Sequence, residues 1–106
     1  MAHHTLTLNY GADGSFRPDK DDLPVMTGDT ISFQLGTAPP SSRFKITMSD
    51  PTLFSPAEVT DSKTQVKVVK AAKATYACQL FDHAGDLLNW EGHAGGSTRP
   101  GGPKGT

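Results

Sequence analysis

Cys78 is the only cysteine of the chain, with Tyr76 two residues before it and His83 five after it; Trp90, the only tryptophan, closes the same stretch, residues 72–90, AKATYACQLFDHAGDLLNW. A thiolate and an imidazole this close in sequence suit a soft transition metal, copper above all, with His93 or Met26 as a third donor. They also suit thiol nucleophilic catalysis, provided the two side chains reach hydrogen-bond distance and the thiol sits where its anion is favoured. Against both stands the alternation of the segment. On a strand, Ala74, Tyr76, Cys78 and Leu80 share one face, and free cysteine is among the most buried residue types. The residues therefore predict a core thiol at Cys78. They also predict a ring at Tyr76 with its hydroxyl on backbone near a strand connection, and an exposed turn histidine at His83 between Asp82 and Asp86.

No other constellation competes. The chain has no G-x-S-x-G, no G-x-x-x-x-G-K, no C-x-x-C and no H-E-x-x-H, and no catalytic residues are assigned. Asp13, Asp19, Asp21 and Asp22 lack the glycine and glutamate spacing of a calcium loop and read as a solvated turn region. A non-enzymatic protein without a cofactor is the expectation, with copper as the alternative.

The bulk numbers frame this. A chain of 106 residues supports one core. A formal net charge of −1 leaves no electrostatic footprint for nucleic acid or an anionic membrane. The nearest thing to a basic cluster, Lys63, Lys67, Lys70 and Lys73, splits between strand faces and reads as a solvated edge. A single cysteine rules out an intrachain disulfide. No segment approaches the ~20 apolar residues of a membrane helix. The start, MAHHTLTLNY, has no signal-peptide core, so a cytoplasmic or already processed chain is expected, with His3 and His4 on a mobile terminus.

The elements that would position Cys78 and His83 are strands. Residues 5–10, Thr30–Leu35, Arg43–Met48, 64–70 and 73–81 alternate apolar and polar residues, with shorter extended pieces around 16–18 and 86–90. Residues 49–62 carry Pro51 and Pro56, and 54–59 leave room for one helical turn. About seven short strands without a convincing helix predict an all-β, antiparallel Greek-key β-sandwich over residues 1–91. Residues 92–106, GHAGGSTRPGGPKGT, are too polar to offset ordering entropy and predict a flexible Gly/Pro-rich tail.

Two segments carry a family resemblance. Phe16-Arg17-Pro18, then Leu23 to Thr27 leading into Gly28-Asp29-Thr30-Ile31-Ser32-Phe33, resembles the opening of a cupredoxin. Ala74-Thr75-Tyr76-Ala77-Cys78 followed by His83 is similar to that family's last-strand pattern; Tyr-x-Cys also fits an immunoglobulin-like sandwich, the alternative fold. The cupredoxin resemblance implies a copper ion between two imidazoles, a thiolate and a weak axial methionine, with Cys78 as thiolate and His83 as one imidazole. This sequence departs from that set: no histidine lies between Gln34 and Lys73, and no methionine follows His83. The resemblance then implies a cupredoxin-like module without an intact type 1 copper site. Such a module acts by binding or assembly, with a protein partner or a second copy meeting an outer strand (residues 5–10 or 86–90), a loop cluster or the tail.

Overall fold

The alternating segments become strands because each has one apolar face to bury and neighbours to complete its backbone hydrogen bonds. The computed structural model describes residues 2–89 and 95–101. Its strands are β1 (His3–Tyr10), β2 (Phe16–Pro18), β3 (Asp22–Val25), β4 (Thr30–Leu35), β5 (Arg43–Met48), β6 (Phe54–Ser55), β7 (Glu58–Val59), β8 (Gln65–Val68), β9 (Ala74–Phe81) and β10 (Gly96–Pro100). They form two five-stranded sheets, ordered β2-β1-β4-β8-β6 and β3-β10-β9-β5-β7. The protein is an all-β sandwich.

The inward positions are those the alternation marks: Leu6 and Leu8 on β1, Ile31 and Phe33 on β4, Phe44, Ile46 and Met48 on β5, Tyr76, Cys78 and Leu80 on β9. Each fully buried aliphatic or aromatic side chain contributes about 1.5–3 kcal/mol of transfer free energy. Phe33 and Tyr76 meet edge to face between the sheets, with centroids 5.6 Å apart and planes at 68°. That arrangement suits the ring quadrupoles.

Several expectations change. The sheets are mixed, because β1 runs parallel to β4 and β3 parallel to β10. β1 is not an outer strand; β2 and β4 flank it. His3 and His4 belong to β1 rather than to a loose terminus, because the Ala2 amide (2.8 Å) and His4 Nε2 (2.8 Å) bind the Asp29 carboxylate. Residues 54–59 form no helical turn. They carry the chain from one sheet to the other as β6 and β7, around a cis Ser55–Pro56 bond. Residues 86–89 touch β9 through an isolated bridge, Phe81 to Leu87, rather than as a strand. Trp90 lies outside the described residues.

The expected flexible tail also gives way over part of its length. Gly96–Pro100 is β10, inserted between β3 and β9. Composition misses it because its stabilisation comes from two ladders rather than from apolar side chains. Gly96 is opposite Tyr76, and a Cβ there would strike the Tyr76 hydroxyl. Thr98 is completely buried and its hydroxyl donates to the Ala72 carbonyl at 3.1 Å.

Candidate functional site

Cys78 sits in the middle of β9, opposite Ile46, and is 1% exposed. Burial pushes its thiol up to about 12, so the neutral form is held at any physiological pH. His83 follows the end of β9 in an exposed turn over residues 82–86. In that turn the Asp82 carboxylate accepts from the Ala84 and Asp86 amides, each at 2.9 Å. These amide bonds, Asp86's first, hold Asp82 below the usual carboxylate range. Thiol and imidazole are thus placed apart, one in the core and the other in solvent. His93 lies outside the described residues. Among the described residues, no three His, Cys, Asp or Glu side chains gather in a way that could hold a metal ion.

The turn does something else. Residues 82–89 fold back on β9, with the Leu88 amide on the Leu80 carbonyl at 2.8 Å. Asn89 then acts as a piece of strand. Its Oδ1 accepts from the Leu80 amide at 2.7 Å and its Nδ2 donates to the Cys78 carbonyl at 3.2 Å, both buried. A side-chain amide has the same donor and acceptor pair as a peptide unit. Asn89 therefore closes the edge of β9 above the point where β10 begins.

Strand direction gathers three connections at one end of the sandwich. β1 and β4 run in parallel, so the turn after β1 and the loop over residues 36–42 after β4 emerge together. Arg43 pairs with Phe81, which brings the 82–89 hairpin to the same end. Tyr10 joins them. Its amide donates to the Thr37 carbonyl at 2.8 Å and its hydroxyl to the Leu88 carbonyl at 3.2 Å. Asn9 Oδ1 adds a bond from the Thr37 amide at 3.0 Å.

The 36–42 loop is exposed and stiff. Pro39 and Pro40 fix two backbone angles, the Ser42 hydroxyl and amide both donate to the Pro39 carbonyl, and Ser41 has a φ of 64°. A left-handed serine is uncommon, and such conformations persist where surrounding structure enforces them. The hairpin presents Leu87, 42% exposed, one of three exposed large apolar side chains among the described residues.

A concavity lies where β2 meets β9 and β10. It is an open cleft of ≈ 710 Å³, its polar wall made mainly by Arg17, Asp21, Thr47, Ser49, Thr75 and Ser97. Beneath Gly96 the Tyr76 hydroxyl is buried without a hydrogen-bond partner among the described residues. The expected bond to backbone is made by Tyr10, not Tyr76. Burial raises the Tyr76 phenol far above its ordinary value, and the nearby Cys78, Asp19 and Asp21 add to this.

The structure adds Tyr10, Asn89 and Asp29 to the residues that motifs mark as site candidates. Asp29 is 2% exposed; burial opposes its ionisation, but the Ala2 and Met26 amides and the His4 ring outweigh that and hold its pKa at about 2. The Gly28-Asp29 turn was a visible signal for it. Tyr10 and Asn89 carry no motif, since their roles depend on partners about 10 to 78 residues away.

No family model and no curated protein matches the chain. Among solved structures, the fold is similar to that of a cysteine protease inhibitor from Entamoeba histolytica, at 18% identity and a TM-score of 0.56, over 94% of this chain and 96% of that one. It is also similar to a pseudoazurin from Sinorhizobium meliloti, at 18% identity and a TM-score of 0.55, over 97% of this chain and 76% of that one. Together these likenesses place the chain among β-sandwiches that include a cupredoxin and a protease inhibitor.

Proposed function

We propose that this chain is a non-enzymatic binding module that engages a protein partner through its loop-bearing end. The observation that carries the reading is the stiffened 36–42 loop, with Ser41 left-handed beside two prolines and Tyr10 fastening loop and hairpin to one strand. Pre-ordered loops bind with less entropy lost on association. The exposed Leu87 supplies an apolar contact, and His83 and Pro40 supply flanking surface. The same fold serves an inhibitor of cysteine proteases, which makes that class the first partner to test. The test is inhibition of purified cysteine endoproteases by the intact chain. Saturable inhibition weakened by Leu87→Asp supports the reading, and absence of binding across the class at micromolar concentration counts against it.

The alternative, a divergent copper protein using Cys78 and His83 with His93, is supported by the pseudoazurin likeness in fold. It requires a thiolate, and the burial of Cys78 works against one. The placement of the two described donors favours the binding module.

A further inference from the structure

The cleft between β2, β9 and β10 lies apart from the loop-bearing end. Its floor is the outward face of the second sheet, where strand register sets short side chains next to one another. Ser97 pairs with Thr75 across β10 and β9, and the Ser49 amide donates to the Thr75 carbonyl at 3.0 Å, so three hydroxyl residues stand in one row. In the next row Thr47 pairs with Ala77. Gly95 sits beside Ala77 with a φ of 130° and no room for a side chain, since a Cβ there would strike the Tyr76 carbonyl. Small residues in the middle of a sheet face leave a hollow that longer ones would fill. Arg17 of β2 and Asp21 of the β2–β3 connection line its other side.

Hydroxyls, a carboxylate and a guanidinium thus border one open space of ≈ 710 Å³. Small-molecule sites commonly span about 300–1,000 Å³. Among the described residues the Thr47, Ser49 and Thr75 hydroxyls and the Asp21 carboxylate make no hydrogen bond. The Ser97 hydroxyl donates to the Asp22 carboxylate at 3.0 Å, which leaves its lone pairs for a donor. Charge narrows the ligand class. Arg17 and Asp21 bring one charge of each sign, and the flanking charges are paired, Lys45 with Glu58 at 3.4 Å and Arg99 with Asp22 at 3.0 Å. An anion such as phosphate would meet Asp21, and a simple cation would meet Arg17. Hydroxyl side chains both donate and accept, so a ligand that only accepts or only donates uses half of what the wall offers. A zwitterion matches the two charges but leaves the three unused hydroxyls without partners. A neutral polyhydroxyl ring matches both, with its carbon face on Ala77 and Gly95.

We infer that this cleft is a binding site for a neutral saccharide. Thr47, Ser49 and Thr75 exchange hydrogen bonds with ring hydroxyls, Asp21 accepts from a diol and Arg17 donates. Because the site is open, it takes a stretch of oligosaccharide lying across the sheet rather than one enclosed sugar. Each exposed hydrogen bond contributes little net free energy, so millimolar affinity is expected. None of these residues belongs to the 36–42 loop or the 82–89 hairpin, and the site stands independently of any partner there.

The probes are cellotetraose, maltotetraose, xylotetraose and chitotetraose, each added to the ¹⁵N-labelled intact chain. At least one should shift the Thr47, Ala77, Gly96 and Ser97 amides saturably within tens of millimolar. Thr75→Val keeps the side-chain shape and the strand preference but loses the hydroxyl, and should weaken that binding about fivefold. Ala77→Ile fills the hollow and should abolish it. Both positions are exposed, and urea midpoints close to the parent's show that each variant keeps its fold. Glycine and inorganic phosphate, added alone, should leave these amides in place. The inference is overturned if no tetrasaccharide shifts them, if Ala77→Ile binds as the parent does, or if glycine or phosphate moves the same amides over the same concentration range.

Discussion

The Tyr10 hydroxyl donates to the Leu88 carbonyl at 3.2 Å, a bond between the end of the first long strand and a hairpin 78 residues later. Because the Tyr10 amide also holds Thr37, one residue sets the relative position of the two exposed connections that form the proposed binding end. Tyr10→Phe keeps the ring and removes only the hydroxyl bond, so a stability loss of about 1 kcal/mol is expected in urea unfolding. The larger expected effect is faster amide exchange over residues 86–89, with the strands unchanged.

Asp29 makes stability depend on acidity. Its folded pKa of about 2 lies below the unfolded aspartate value of about 3.9. Its contribution is therefore complete above roughly pH 4 and disappears as pH falls through about 2, amounting to about 2 kcal/mol. Urea midpoints between pH 2 and 6 measure this. Asp29→Asn should flatten the acid limb in that window while lowering stability at neutral pH.

Tyr76 inverts the usual outcome of removing a hydroxyl. Its Oη is buried and has no partner among the described residues, so Tyr76→Phe is expected to be neutral or to stabilise by up to about 1 kcal/mol. Gly96→Ala should destabilise by about 1–3 kcal/mol, because the new methyl meets that hydroxyl, the ring carbon bearing it and the Pro18 ring. Part of this loss should be recovered in the double variant, where the hydroxyl is gone. A double-mutant cycle by thermal or chemical unfolding reads the coupling.

Cys78 is expected to react with iodoacetamide only as fast as the native fold opens, since its sulfur is enclosed and burial lifts its pKa to about 12. The raised folded value means that stability is full below the unfolded thiol value of about 8.5 and declines above it, toward 12. Titration with Cu(II) should give no visible thiolate-to-copper band. A band that vanishes in Cys78→Ser would restore the copper reading.

The long strands and their inward residues were legible because period-two alternation reports a half-buried sheet directly, as in Thr30–Leu35 and Arg43–Met48. The expected core placement of Cys78 followed from the same signal, and the exposed turn at His83 from Asp82, Gly85 and Asp86 around it. What alternation cannot report is which strands are neighbours. β1 read as an outer strand and is interior, since its parallel pairing with β4 depends on Asp29 gripping Ala2 and His4. β10 read as tail because Gly96–Pro100 contributes ladders and one buried threonine rather than apolar bulk. The hydroxyl bond expected of Tyr76 belongs to Tyr10, whose partner is 78 residues away and carries no local mark.

The central claim, that the loop-bearing end is the binding surface, is tested most directly by mapping amide shifts of the labelled protein on addition of an active-site-blocked cysteine endoprotease. The expected result is loss or movement of signals at Thr37–Ser42 and His83–Leu88, reduced in Leu87→Asp. No perturbation at micromolar concentration, or one centred on Met26, Thr27 and Val69 at the opposite end, would contradict it.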